Sequence, residues 1–226
     1  MNLSEKVLKK RVFKQKVLDE HIKNYMLGQC QPYLSKSKNT IDVGAATGMY
    51  SSYFSDYSKN VYSFEAVPQV YEQLLKIDKP NLHTYNYAVS DKEGTTDFWV
   101  DDKRLSNSSL RNLVDGLKIQ VDTIKIDDKK IEDVGFIKVD VEGDELKVLN
   151  GAVNTIEKYE PTCMVEIYDK FNDGPVEDTF NFFFSRNYKC FTNIKGKGLT
   201  QVKNIKTALA YQKKIDITDG DYLFTK

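Results

Sequence analysis

The run Thr40-Ile41-Asp42-Val43-Gly44-Ala45-Ala46-Thr47-Gly48-Met49-Tyr50 constrains this chain more than any other stretch. Its apolar, β-branched start ending in Asp-Val-Gly predicts a buried parallel strand, Thr40–Val43, running into a glycine turn. Gly48 opens a helix predicted over Met49–Ser58. Glycine suits a backbone that must turn sharply and lie close to a ligand. The next apolar run, Val61–Phe64, predicts a second strand and leads directly to Glu65. A glycine-rich first βα turn with an acid at the tip of the following strand is a nucleoside-binding arrangement, in which the acid accepts the ribose hydroxyls.

Spacing separates two cofactor classes. A dinucleotide fold uses G-x-G-x-x-G, whose middle glycine seats a pyrophosphate on the helix N-terminus. Here the pattern is Asp42-x-Gly44-x-x-x-Gly48, with Ala46 at that middle position. An adenosine ligand without phosphate fits better, and the expected cofactor is S-adenosylmethionine. The competing reading is a tight strand-to-helix turn that binds nothing.

The 226 residues suffice for one large core. Lys+Arg and Asp+Glu balance at 33 each, which argues against a chain-wide nucleic-acid footprint. No run approaches the roughly 18 apolar residues of a membrane span. Lysines near the start are followed by no apolar signal segment. Cys30, Cys163 and Cys190 form neither a metal spacing nor an even disulfide framework, so a reducing cytoplasm is the expected compartment.

Residues 1–38 are expected to form an N-terminal helical extension ahead of a catalytic domain over 39–226. Leu3, Val7, Leu8, Val12, Leu18, Ile22 and Met26 recur at helical spacing up to Gly28. Lys6, Lys9, Lys10, Arg11, Lys14, Lys16 and Lys23 outnumber Glu5, Asp19 and Glu20 there. The plain reading is a helix packed on the sheet edge with a basic, solvated face. The sharper readings are a substrate lid, a homodimer arm or a docking face for an anionic partner.

Beyond Phe64 the chain keeps alternating strand and helix, the signature of a parallel sheet with helices on both faces. A helix is predicted over Gln69–Ile77, a third strand over Asn81–Ala88 and an extra strand over Thr95–Val100. Residues 101–118 read as a mobile loop near the site, and Lys118–Lys125 alternates again. Strand Val134–Asp140 leads through Val141-Glu142-Gly143 into one helix ending near Tyr159. Cys163–Ile167 carries Glu166, and residues 174–187 form a helix. Tyr188–Ile194 and Tyr222–Lys226 close the sheet, and Lys203–Lys214 reads as a basic, poorly patterned insertion. Ligands of open α/β sheets bind outside the carboxyl ends of the strands, so Asp42, Glu65, Asp140 and Glu166 are expected to converge on one crevice.

These residues resemble the FkbM-type S-adenosylmethionine-dependent methyltransferases over roughly 38–170. Asp42–Gly48 is similar to the family's first motif, with Ala46 for a usual Asn. Phe64-Glu65-Ala66-Val67-Pro68 resembles its F-E-P-x-P, with Ala66 for the first Pro. Ala88-Val89-Ser90-Asp91 and Ser108-Ser109-Leu110 match weaker blocks. Phe136-Ile137-Lys138-Val139-Asp140-Val141-Glu142-Gly143 is the most diagnostic, followed by Glu145-x-x-Val148-Leu149-x-Gly151-Ala152 and Val165-Glu166-Ile167. Tyr168-Asp169 stands where many members carry a His. The resemblance implies an α/β, Rossmann-like class I methyltransferase sheet of seven strands, mostly parallel with the last antiparallel. It also implies O-methylation of a hydroxyl on a sugar, glycan or other small molecule.

Methyl transfer from a sulfonium needs an acceptor oxygen held about 3–3.5 Å from the methyl and relieved of its proton. His21 and His83 lie away from the predicted strand ends. Asp140, Glu142 and Glu166, with Asp169 nearby, are therefore the candidate catalytic residues. Asp140 and Glu166 are also candidate ligands for a divalent cation such as Mg²⁺. Helix capping explains Asp140 and Glu142 without chemistry. Lys138 faces the same side of its strand as Asp140 and either pairs with it or reaches out to solvent. For the cofactor, Asp42, Gly44, Ala45 and Gly48 are expected around the methionine portion and Glu65 at the ribose. Asn86 and Ala88 are expected to flank the adenine after strand three, and Ala66 is a further candidate for the cofactor site. The alternative outside enzymology is a module that binds adenosine ligands without turnover.

Overall fold

The computed structural model describes residues 26–100, 117–168, 174–194, 197–213 and 217–226. Residues 1–25, Ser108-Ser109-Leu110 and Asp169 lie outside them, and so do His21 and most of the predicted loop 101–118.

Strands β1 (Asn39–Val43), β2 (Val61–Phe64) and β3 (Leu82–Tyr85) run parallel, as do β7 (Val134–Val139) and β8 (Thr162–Glu166). Strand β11 (Ile217–Thr225) enters antiparallel between β8 and β9 (Lys189–Ile194). A further strand, β10 (Gly198–Val202), pairs antiparallel with β9. The order is β10-β9-β11-β8-β7-β1-β2-β3, so the sheet has eight strands where seven were expected. The extra strand is the hairpin arm β10, appended outside an otherwise class I order. Residues 203–214 are not patternless either: Ile205–Lys213 forms a helix that packs on β10 and β11, burying Ala208. Its apolar residues Ile205, Ala208 and Leu209 fall at helical spacing, but two of the three anchors are weak or isolated among Lys206, Thr207, Gln212 and Lys213, which hides the period.

Alternation assigns the two faces of the sheet. Ile41, Val43, Ile137, Val139, Cys163, Val165, Tyr222 and Phe224 point into the larger core. That core is closed by α4 (Glu145–Asn150), α5 (Val153–Tyr159) and α6 (Val176–Phe184). Phe136, Met164 and Leu223 point to the other face, where α1 (Met26–Cys30) and α2 (Met49–Ser55) supply Met26, Leu27, Tyr53 and Phe54. Each large side chain buried there contributes about 1.5–3 kcal/mol of transfer free energy.

Two predicted elements divide. The third strand stops at Tyr85, and Ala88–Val89 (β4) instead joins β5 (Gly94–Val100) and β6 (Leu117–Ile124) in a separate three-stranded sheet. The helix after β7 breaks at Gly151, where an added Cβ would lie 2.1 Å from the Ser90 carbonyl oxygen. The Gly151 carbonyl accepts from the Asp127 N–H, and the Asp127 carboxylate accepts from the N–H groups of Asn154 and Thr155 to start α5.

Candidate active site

Register places the site. Asp42 lies opposite Lys138, and Lys138 opposite Met164, which lies opposite Leu223. One pleat further toward the carboxyl ends of the parallel strands come Gly44, Asp140 and Glu166, with Asp221 facing Glu166. Three acids on three adjacent strands therefore share one height and one face, with Lys138 in the layer beneath Asp140.

At the end of β1 the chain turns through Gly44 (φ 73°), Ala46 (φ 48°) and Gly48 (φ 85°), all in the left-handed region. The N–H groups of Gly44 and Ala45 donate to the Phe64 carbonyl at 3.0 Å, tying the turn to β2. The glycines are demanded by the protein itself. A Cβ at Gly44 would lie 1.7 Å from the Asp140 carbonyl oxygen, and one at Gly48 within 2.6 Å of Leu74 and Ile77. Gly44 thus lets the turn rest against the end of β7.

Glu65 is buried, and both its oxygens are engaged: Oε2 accepts from the Ala46 N–H at 2.9 Å and Oε1 from the Val67 N–H at 2.8 Å. Burial raises its pKa, while the two N–H groups and Lys138 oppose that. Asn86 donates to the carbonyls of Glu65 and Ala66, fixing the chain after β2. Ala66 and Ala46 pack at the rim of a third apolar cluster. Ala88 lies inside that cluster, among Val67, Val70 of α3 (Pro68–Leu74), Phe98 and Val121.

Asp42 is fully buried under the turn. Its Oδ2 accepts from Ser51 Oγ at 2.6 Å, which in turn receives a bond from Ser63. Its Oδ1 has no hydrogen-bond donor and lies 3.6 Å from Lys138 Nζ, an ion-pair separation too long for a hydrogen bond. Asp42 is placed to support the turn from below. Lys138 does not reach solvent. Its Nζ donates to the Gly44 carbonyl and to Asp140 Oδ2, both at 3.2 Å, and sits 5.0 Å from the centre of the Tyr50 ring. Burial alone would lower its pKa, but the carboxylates of Asp140 and Asp42 outweigh burial and keep it charged.

Carboxylate oxygens of Asp140, Glu142 and Glu166 lie within 4.8 Å of one another. Glu142, in a left-handed conformation (φ 54°), has its pKa raised to about 7 by burial and by Asp140, against the pull of Lys138. Glu166 is raised far above the carboxylate range by burial, then by the charges of Asp140, Asp221 and Glu142, so it holds a proton at neutral pH. Behind them Glu145 is buried, accepts from the Gly143 N–H and is raised to about 7, first by burial.

The predicted residues Asp42, Gly44, Glu65, Asp140, Glu142 and Glu166 are therefore gathered at one end of the sheet. His83 is not among them: it stacks on Tyr62 at the sheet edge, near Asn60. The residue that sequence reasoning missed is Asp221. It precedes an apolar run instead of following one, and only an antiparallel strand brings its first residues to this end. Gly220 just before it sits against the Tyr168 ring, 2.3 Å from where a Cβ would be.

The model of the methyltransferase FkbM domain matches residues 42–190. No curated protein matches the chain. Among solved structures, a methyltransferase FkbM from Methylobacillus flagellatus KT aligns with a TM-score of 0.56 at 17% identity. The alignment covers 84% of this chain and 44% of that one, so this chain spans under half its length. A putative methyltransferase from Streptococcus mutans, solved in complex with SAH, gives a TM-score of 0.49 at 12% identity. It covers 88% of this chain and 92% of its own. The motifs run from the first βα turn through β8, inside the matched span, and the chain belongs to the FkbM family of S-adenosylmethionine-dependent methyltransferases.

Proposed function

We propose that this chain transfers a methyl group from S-adenosylmethionine to a hydroxyl of a sugar or glycan. The observation that carries the reading is the meeting of two unlike sets of groups at one sheet end. One is a rigid turn braced by a buried glutamate. The other is a cluster of three carboxylates, in which the pKa values of Glu142 and Glu166 are raised.

The donor set suits the cofactor. Both Glu65 oxygens retain acceptor capacity for the ribose hydroxyls beyond the two backbone bonds they already take. When bound, the cofactor supplies an electrophilic methyl on a sulfonium. The chain's own residues then do three things. The turn and Glu65 fix the nucleoside, the acids beside them orient an acceptor rich in hydroxyl donors, and Glu142 takes the acceptor's proton. Glu142 suits that task because its pKa of about 7 keeps a basic oxygen available near neutrality. Glu166 keeps its proton and offers it toward Asp140, so the row does not carry three full charges. A hydroxyl-bearing acceptor that is not a sugar would meet the same groups.

The same oxygens favour a second reading. Three carboxylates within 4.8 Å are a hard donor set, and Asp140 and Glu166 would hold a divalent cation whose contribution is to acidify the acceptor hydroxyl. Lys138 already occupies one side of Asp140 as a competing cation.

Isothermal titration with S-adenosylmethionine, beside a Glu65→Ala variant, tests the cofactor reading. Micromolar binding that the variant loses is expected, and absence of binding to the wild type would sink it. An acceptor screen starting with glycans follows, with and without chelator; full activity after exhaustive chelation removes the cation.

A further inference from the structure

Lys138 takes no proton and binds no substrate in the scheme above, yet its ammonium touches both halves of the crevice. Its side chain is 2% exposed. Its ammonium bonds the carbonyl of Gly44, first residue of the cofactor turn, and the carboxylate of Asp140, first acid of the row. The third oxygen within ion-pair range belongs to Asp42 on the neighbouring strand. Tyr50, from the first turn of α2, closes the site over its charge. A lysine needed only to neutralise Asp42 would have no use for the other two contacts.

We propose that Lys138 is a positioning residue that clamps the cofactor turn to the acid row, setting the distance between bound methyl donor and acceptor site. The proposal rests on the methyltransferase reading. Three features make the clamp specific. Gly44 has no Cβ, so its backbone rests on the Asp140 carbonyl and its own carbonyl comes within reach of Nζ. The Asp140 N–H donates to the Val43 carbonyl, so the two chain ends are already joined once and the lysine supplies the second, charged tie. Glu166 and Asp221 face each other across adjacent strands beside Asp140, and the ammonium from the layer beneath supplies the cation that pairs with Asp140 in this acid-rich setting.

Removing one partner of a buried ion pair leaves an unpaired charge and threatens the fold. The test therefore compares Asp42→Asn with the double variant Asp42→Asn/Lys138→Met, in which neither half of that pair is left charged alone. Thermal melting and calorimetric titration with S-adenosylmethionine are measured on both and on the wild type. The expected result is similar melting for the two variants, with cofactor affinity in the double variant weaker than in Asp42→Asn by about tenfold or more, the size of one lost charge-assisted hydrogen bond. Equal affinity in the two variants would overturn the clamp, because neutralising Asp42 would then be all that Lys138 does. Wild-type protein that fails to bind S-adenosylmethionine would instead overturn the methyltransferase reading and the clamp with it.

A second measurement needs no variant. The Nζ resonance of Lys138, followed by NMR in ¹⁵N-lysine-labelled wild-type protein, is expected to shift on saturation with S-adenosylmethionine. An unchanged resonance at saturating cofactor would count against the clamp whatever the variants do.

Discussion

The two halves of the crevice are built on opposite plans. Around β1 and β2, Glu65 has a backbone N–H on each oxygen, the turn amides of Gly44 and Ala45 are tied to β2, and Asp42 is locked under Ser51 and Ser63. Around β7, β8 and β11, acids outnumber cations, and Glu142 and Glu166 hold their protons more strongly than a solvated glutamate does. The first half is finished before any ligand arrives; the second is left short of positive charge. A preorganised frame suits a ligand that is the same in every cycle, whereas an electrostatic deficit suits an acceptor that must be drawn in and deprotonated.

The contrast can be broken most violently at Gly44, where the halves touch. Gly44→Ala would drive a methyl into the Asp140 carbonyl at a positive φ. The expected loss is on the order of 4 kcal/mol or more, read by urea denaturation. Gly198→Ala, also at positive φ but with no described atom within 4 Å of the new Cβ, is expected to lose only about 1–2 kcal/mol. Equal losses would mean that φ, not the contact with β7, governs Gly44.

Next in size, Glu65→Ala strands the N–H groups of Ala46 and Val67, at about 1–3 kcal/mol for each donor left buried. It is expected to lower the melting temperature as well as abolish cofactor binding. Glu65→Gln, which keeps one acceptor oxygen, should recover part of the stability and little of the affinity.

In the acid half the sign reverses. A carboxyl whose folded pKa is raised, as Glu142 is from the ordinary glutamate value of 4.5 to about 7, makes the folded state bind more protons between those values. Its contribution to stability is therefore greatest below pH 4.5 and is lost as pH rises through about 7. Glu142→Gln is expected to raise the melting temperature at pH 8 by a few degrees, to change it little at pH 5, and to remove turnover. A variant less stable at pH 8 would contradict the deficit.

The smallest effect is expected from Asp221→Asn. Removing one of the charges that hold the proton on Glu166 should raise the melting temperature at pH 8 by about 1–2 °C and shift the acceptor pH profile toward acid.

Much of this was legible in the sequence, and unevenly so. Strands β1, β2, β7 and β8 were read to within a residue or so because buried parallel strands are continuous apolar runs, and each carried its acid at the end. The role of the turn glycines was only half visible. Their positive φ follows from the motif, but what Gly44 avoids is a carbonyl nearly a hundred residues away in the chain. Asp221 was missed because strand direction is a property of the sheet, not of a local pattern. Asp127 was missed as a cap because the helix it starts begins behind a break made by tertiary contact with Ser90. Lys138 was seen, but its choice between pairing and solvent depended on what α2 laid over it.

Strand β11 has a consequence for how such a chain is made. It slots between β8 and β9 although both precede it in translation order. A nascent chain that has emerged through residue 213 can close the β1–β2 turn and complete β7, yet β8 and β9 still wait with their facing edges unpaired. Open edges of this kind invite mispairing with other chains. Until residues 217–225 arrive, the acid row lacks Asp221 and the Gly220–Tyr168 contact. The half around β1 and β2 can thus be assembled during synthesis, while the acid half is completed only by the inserted strand β11, a long-range and therefore slow pairing.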